Sequence, residues 1–144
     1  MLELAKLKKG VTLPELKKVI TQEGINRYAE ASHDFNPIHI DMDYAKQTPL
    51  GGTIAHGMLV LAYVSQMMVN AFGRYWLSGS KLNVRFKAPA RPGDTITVSG
   101  RIDDVVNDDG HSVVSCDLLV TNQHDEVVIT GEAIVRVDSH EDSG

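Results

Sequence analysis

Apolar residues fall in helical registers along the first half of the chain and in strand-like alternation along the second. From residue 95 onward Ile96, Val98, Gly100 and Ile102 face one way while Thr95, Thr97, Ser99 and Arg101 face the other. That predicts a strand over 95–106, in a sheet with one packed face. The same reasoning predicts strands over 80–87, 111–121 and 127–137. Polar turns at 91–94, 107–110 and 122–125 separate these runs and are of the short kind that joins antiparallel neighbours. Between 56 and 72 almost every residue is apolar, which predicts a helix of about 25 Å buried nearly all round. An earlier helix starts behind Thr21 as N-cap, with Glu23 in its first turn. Its Ile25, Tyr28, Ala29 and Ser32 lie at i, i+3, i+4 and i+7, so one side packs while Glu23, Arg27 and Glu30 stay in water. This helix ends near His33, because Pro37 disfavours helical geometry at Asn36. Residues 13–20 form an edge strand or a lead-in, 43–47 a short helical turn, and 48–52 a loop broken by Pro49, Gly51 and Gly52.

An early buried helix followed by a run of antiparallel strands is an α+β plan in which the sheet wraps the helix. The 144 residues suit one domain, 1–138, with a polar tail at 139–144 that lacks apolar anchors and frays. The longest apolar run, 58–64, is far short of the roughly 20 residues that cross a bilayer, and the opening decapeptide lacks the apolar core of a signal peptide. One cysteine, Cys116, allows no intrachain disulfide and fits a reducing cytoplasm; its place in a strand pattern makes it a small packed side chain. With 14 Lys and Arg against 19 Asp and Glu, the net charge of -5 argues against nucleic acid or an anionic membrane as partner. A local basic patch remains compatible with a phosphorylated ligand.

Two segments carry chemistry. In 32–39 a carboxylate, Asp34, and an imidazole, His39, stand five positions apart with Pro37 between them, so a turning path rather than a helix brings them side by side. Alone, such a pair is more often a helix-end cap and a surface histidine. In 51–59 glycines precede the apolar helix, whose first N–H groups point outward, and Gly57 lets a ligand approach the backbone closely.

Together these segments resemble the MaoC-like family of hot-dog hydratases and dehydratases. The family's D-x-N-P-x-H motif is matched by Asp34, Asn36, Pro37 and His39, and its A-H-G-M segment by Ala55, His56, Gly57 and Met58. The runs 83–89 and 91–94 are similar to the strand and turn that follow, so the resemblance covers about residues 10 to 138. It implies a hot-dog fold and reversible syn addition of water to a trans-2-enoyl thioester, giving the (R)-3-hydroxyacyl product, with no metal or redox cofactor. Asp34 and His39 are then the acid/base pair, and the Gly57 N–H stabilises the thioester oxyanion. Asn36 either steers Asp34 or the water, or makes a local turn bond. His56 and Met58 are candidate substrate contacts, and Arg85 with Lys87 either meet the carrier's phosphates or pantetheine arm or form a solvated face. The resemblance also implies a homodimer acting on coenzyme A or acyl carrier protein thioesters.

One departure is Ala62, where some (R)-specific members carry serine six residues after the histidine of H-G-M; Ser65 substitutes only if the groove runs that way. A hot-dog thioesterase and a non-catalytic acyl-thioester binder are the rival functions. His33, Asp34, His39, Asp41, Asp43 and His56 are close in sequence, but their spacing fits neither a zinc helix motif nor a calcium loop, so no metal site is expected.

Overall fold

The long apolar helix lies along the inner face of a five-stranded antiparallel sheet in the computed structural model, which describes residues 1–138. The strands are β1 (Leu16–Val19), β2 (Lys81–Phe86), β3 (Thr95–Asp108), β4 (His111–Thr121) and β5 (Val127–Asp138), in the order β1-β3-β4-β5-β2. The helices are α1 (Gln22–Ser32), α2 (Pro37–Ile40), α3 (Met42–Lys46), α4 (Gly57–Phe72) and α5 (Arg74–Leu77), with a 3-10 turn at Leu4–Lys6. This is the α+β hot-dog arrangement. The polar tail 139–144 lies outside the described residues.

Local chemistry explains most element ends. Thr21 caps α1, its Oγ1 accepting from the Gly24 N–H at 2.9 Å, and Ile25 and Ala29 are buried beneath it. The turns after β3 and β4 make hairpins, with Asp108 paired to His111 and Thr121 to Val127. The turn before β3 does not: β2 pairs with β5, while β3 lies between β1 and β4. Turn residues reverse a chain but do not choose the edge it reaches. Here the connection walks across the end of the sheet. Lys87 N–H donates to Val128 O at 2.8 Å, Ala55 N–H to Ala90 O at 2.7 Å, and Gly93 N–H to Ile20 O at 2.7 Å. A register shift between Ile102 and Asp104 marks a bulge in the long β3, which helps the sheet curl.

The alternation in β3 places Ile96, Val98 and Ile102 in the core, against Val64, Met67, Met68 and Phe72 of α4. Burying each such side chain contributes roughly 1.5–3 kcal/mol. The helix is nevertheless not enclosed on every side. One curved sheet covers one side of a cylinder, so Met58 is 60% exposed, Val69 37%, and Ala62 and Gln66 are also open. Among the described residues no helix is long and apolar enough to cross a membrane.

Candidate active site

Asp34 and His39 are set by two successive local devices. At the end of α1, His33 adopts a left-handed conformation, φ 60°, and turns the chain away from the helix axis. Asp34 Oδ1 then accepts from the Asn36 N–H at 3.2 Å, an Asx turn that fixes the carboxylate. Asn36 Oδ1 accepts from the Ile38 N–H at 3.2 Å, and Pro37 takes the first position of α2. Pro37 thus keeps Asn36 out of the helix but begins one itself, because its fixed φ suits the first helical turn. The turning path predicted for this segment is a helical turn at His39. The Asn36 side chain makes the local turn bond, while the contact to the Asp34 carboxylate comes from its backbone N–H.

Asp34 is exposed, whereas His39 is buried at 8% exposure. His39 Nδ1 lies 2.8 Å from the Ile54 carbonyl oxygen. A carbonyl only accepts, so Nδ1 carries the proton and Nε2 keeps a free lone pair. Ile54 is held in turn, its N–H donating to Ile38 O at 3.1 Å.

His56, the N-cap residue of α4, makes no side-chain cap bond. Its ring stacks on His39, with centroids 3.9 Å apart and planes 25° apart, and Tyr28 packs on it at 4.8 Å. Its Nε2 donates to the Asp34 backbone carbonyl at 3.0 Å, and its Nδ1 is buried with no partner among the described residues. At 2% exposure His56 is a support beneath the pair and not an open substrate contact.

One oxygen or nitrogen from each of Asp34, His39 and His56 lies within 4.8 Å of the others. That distance admits one bridging water. A cation would need to lie in both imidazole planes, yet these stacked planes converge well beyond the roughly 2.0–2.1 Å of an imidazole–zinc bond. The trio therefore suits a water better than a metal.

Gly57 opens α4 beside two cavities. One, about 640 Å³, is lined by Tyr28, Met58, Leu61, Ala62, Ser65, Gln66, Val69 and Leu82. The other, about 370 Å³, includes Ile54, Gly57, Val60, Phe86 and Lys87. Both are largely apolar. Ser65 brings a hydroxyl to the first groove where Ala62 brings none; its Oγ also accepts from Trp76 Nε1 at 2.8 Å. Arg85 and Lys87 do not act as a pair, because β2 ends at Phe86. Arg85 lines a polar cleft with Asn83, Asp117, Thr130 and Glu132, whereas Lys87 borders the Gly57 cavity. Cys116 is buried in β4, and burial pushes its thiol up to about 12, with Asp117 and Asp103 adding to the effect. It stays a thiol at neutral pH and is a core side chain.

Three contributors were not singled out from sequence: the Ile54 carbonyl, the Gln22 side chain and Thr53. A backbone carbonyl leaves no residue signature, and Gln22 resembles any polar residue at a helix start. Thr53 alone offered a signal, as a polar residue in an apolar approach to a buried helix.

Comparison with known proteins adds an independent line. Residues 5–124 match the model of the MaoC like domain. The chain is 31% identical over 131 residues to a 3-hydroxybutyryl-CoA dehydratase of Methylorubrum extorquens, covering 89% of this chain and 80% of the relative. It is 34% identical over 125 residues to an (R)-specific enoyl-CoA hydratase of Rhodospirillum rubrum, covering 85% and 83%. Among solved structures, the (R)-hydratase from A. caviae involved in PHA biosynthesis superposes with a TM-score of 0.78 at 26% identity, covering 91% of this chain and 97% of that one.

Proposed function

Because the chain belongs to the MaoC like domain family, we propose that it is a hydro-lyase that adds water reversibly to trans-2-enoyl thioesters to give (R)-3-hydroxyacyl thioesters. In this reading Asp34 and His39 hold one water between them. The water oxygen bonds to C3 while its proton passes to His39 Nε2, the nitrogen left free by the Ile54 bond. The pair returns a proton to C2, so one water has crossed the double bond and both groups are restored. Positioned acid/base groups of this kind contribute about 10² to 10⁴ in rate.

Attack at C3 drives negative charge onto the thioester oxygen. The first N–H groups of α4 lack an intrahelical acceptor and lie at the positive end of its dipole, so the Gly57 N–H is the donor we assign to that oxygen. Lys87, at the edge of the same cavity, is the better placed of the two candidate cations for a carrier phosphate. The active species is a homodimer in this account. Among the described residues the outer edge of β2 has no strand partner, and Met58 and Leu61 of α4 line a groove beside it with Leu82 of β2, so a second copy can extend the sheet and cover the helix. We assign the enzyme to the cytoplasm, where its one buried thiol would remain reduced.

The single observation that carries the reading is a buried, tautomer-fixed His39 with a ring nitrogen within 4.8 Å of a carboxylate oxygen of the exposed Asp34. The test is to mix the protein with crotonyl-CoA and follow enoyl absorbance alongside free thiol. Hydration removes the first without releasing the second; thiol release would favour a thioesterase, and neither change would favour a binding protein. Asp34→Asn and His39→Gln should each slow hydration at least about 10²-fold, and the double variant should be little slower than either, since groups acting as a unit are strongly non-additive.

A further inference from the structure

We infer that Gln22 is a positioning residue for the His39 imidazole, holding both the backbone that carries the ring and the segment that orients it. The inference rests on the acid/base role proposed for His39 and adds a residue outside the D-x-N-P-x-H motif. Gln22 is the first residue of α1 and half-buried. Its Nε2 donates to the His39 carbonyl at 2.8 Å and to Asn26 Oδ1 at 2.9 Å. Its Oε1 accepts from Thr53 Oγ1 at 2.7 Å. Both amide hydrogens are used, and a flipped amide would set two carbonyl oxygens against each other at His39, so the network fixes the orientation.

Two of these bonds reach far along the chain, 17 residues to His39 and 31 to Thr53. They are not helix capping. Thr53 is 1% exposed and directly precedes Ile54, whose carbonyl takes the His39 Nδ1–H. One amide therefore spans the two supports of the imidazole: its backbone on one side and the acceptor that fixes its tautomer on the other. If the amide is lost, the His39 turn and the Thr53–Ile54 segment can move apart. Nε2 then drifts from the water it must deprotonate, although nothing in the thioester's binding surface has changed.

The experiment is steady-state hydration of crotonyl-CoA with thermal unfolding of each variant. Gln22→Met should lower kcat at least 10-fold, leave KM within about 3-fold, and unfold within a few degrees of the wild type. Asn26→Ala, which removes the one Gln22 bond not tied to the site, should leave kcat near the wild-type value. In a His39→Gln background, Gln22→Met should slow the residual rate less than 2-fold, because its effect passes through His39. If Gln22→Met does not fold, Gln22→Glu decides, since it keeps the acceptor for Thr53 and loses the donor to His39, together with the Asn26 bond for which Asn26→Ala is the control; the same kcat loss is expected. A kcat within 2-fold of wild type, or an equal penalty with and without His39, overturns the positioning role while leaving the acid/base pair intact. A fully active His39→Gln protein overturns the pair first and the inference with it.

Discussion

Gly57→Ala separates stability from turnover at the start of α4. A Cβ on Gly57 would lie 3.0 Å from Cε1, 3.4 Å from Cζ and 3.5 Å from Cδ1 of the Phe86 ring. The closest of these is a few tenths of an ångström too short. Phe86 is 53% exposed, so the ring can swing outward. Replacing a helical glycine by alanine also restricts the unfolded chain, worth roughly 0.5–1 kcal/mol in favour of folding. The two effects oppose each other, and the net change should stay within about 1 kcal/mol, or roughly 2–4 °C in Tm for a chain of this size.

Turnover should respond far more. Gly57 and Phe86 line the same cavity, so the added methyl occupies the space through which a thioester oxygen reaches the Gly57 N–H. Complete loss of an oxyanion donor costs about 2.7–4 kcal/mol. The N–H survives in the variant but its distance to the oxygen grows, so a smaller loss is expected, about 10- to 100-fold in kcat. KM should change less, because the charge exists fully only after attack. Crotonyl-CoA hydration and a thermal melt on the same sample give both numbers. Adding Phe86→Ala should relieve the ring contact without restoring kcat. A folded Gly57→Ala protein with kcat within 2-fold of wild type would refute the close approach at this helix end.

Three further outcomes are expected. The unfolded Cys116 thiol ionises from 9.0 upward while the buried one holds its proton to about 12; its stabilising contribution is thus complete below pH 9 and lost as pH rises through that window, at up to about 1.4 kcal/mol per pH unit. Urea midpoints of wild type and Cys116→Val should therefore converge or cross between pH 9 and 12, and a constant difference would contradict the shift. Sedimentation at micromolar concentration should give a dimer, and a stable, active monomer would contradict the pairing of β2 edges. Ala62→Ser should change kcat only a few-fold, because it adds a hydroxyl to the groove without touching Asp34 or His39; a 100-fold effect would mean that the groove hydroxyl takes part in water activation.

What could be read from sequence tracks how far each determinant lies along the chain. The Thr21 cap acts over three residues and the β3 alternation over a few, and both were legible. The Asp34–Asn36–Pro37 chemistry was legible as a motif, but Pro37 reads as a helix stopper and hid the turn that it starts. The position of β2 beyond β5 depends on where an eight-residue connection finds partners at Val128, Ala55 and Ile20, which no turn signal encodes. The apolar composition of α4 read as full burial, although composition cannot tell which side of a helix its own sheet covers. Met58 and Val69 expose that difference.

The same separation of near and far explains why the site is assembled from two segments of the chain. Asp34 is held by its own neighbourhood, through Asn36, and stays in solvent, where a carboxylate is least costly. His39 is held from afar and is buried, and its Nδ1–H bond to the Ile54 carbonyl fixes one tautomer of the neutral ring. If, as proposed, His39 Nε2 takes the proton of the attacking water, the Nδ1–H bond to the Ile54 carbonyl becomes charge-assisted and strengthens. The carbonyl thus stabilises the imidazolium where it forms, and the acceptor is already in place before the proton arrives. An uncharged acceptor also leaves the burial of the resting site free of a second ion, whereas a carboxylate there would itself have needed a partner. The exposed Asp34 places a carboxylate oxygen within 4.8 Å of a ring nitrogen of His39 and of His56. In the proposed mechanism water addition moves a proton between His39 and the substrate, and the Nδ1–H bond to the Ile54 carbonyl sets which nitrogen makes that transfer.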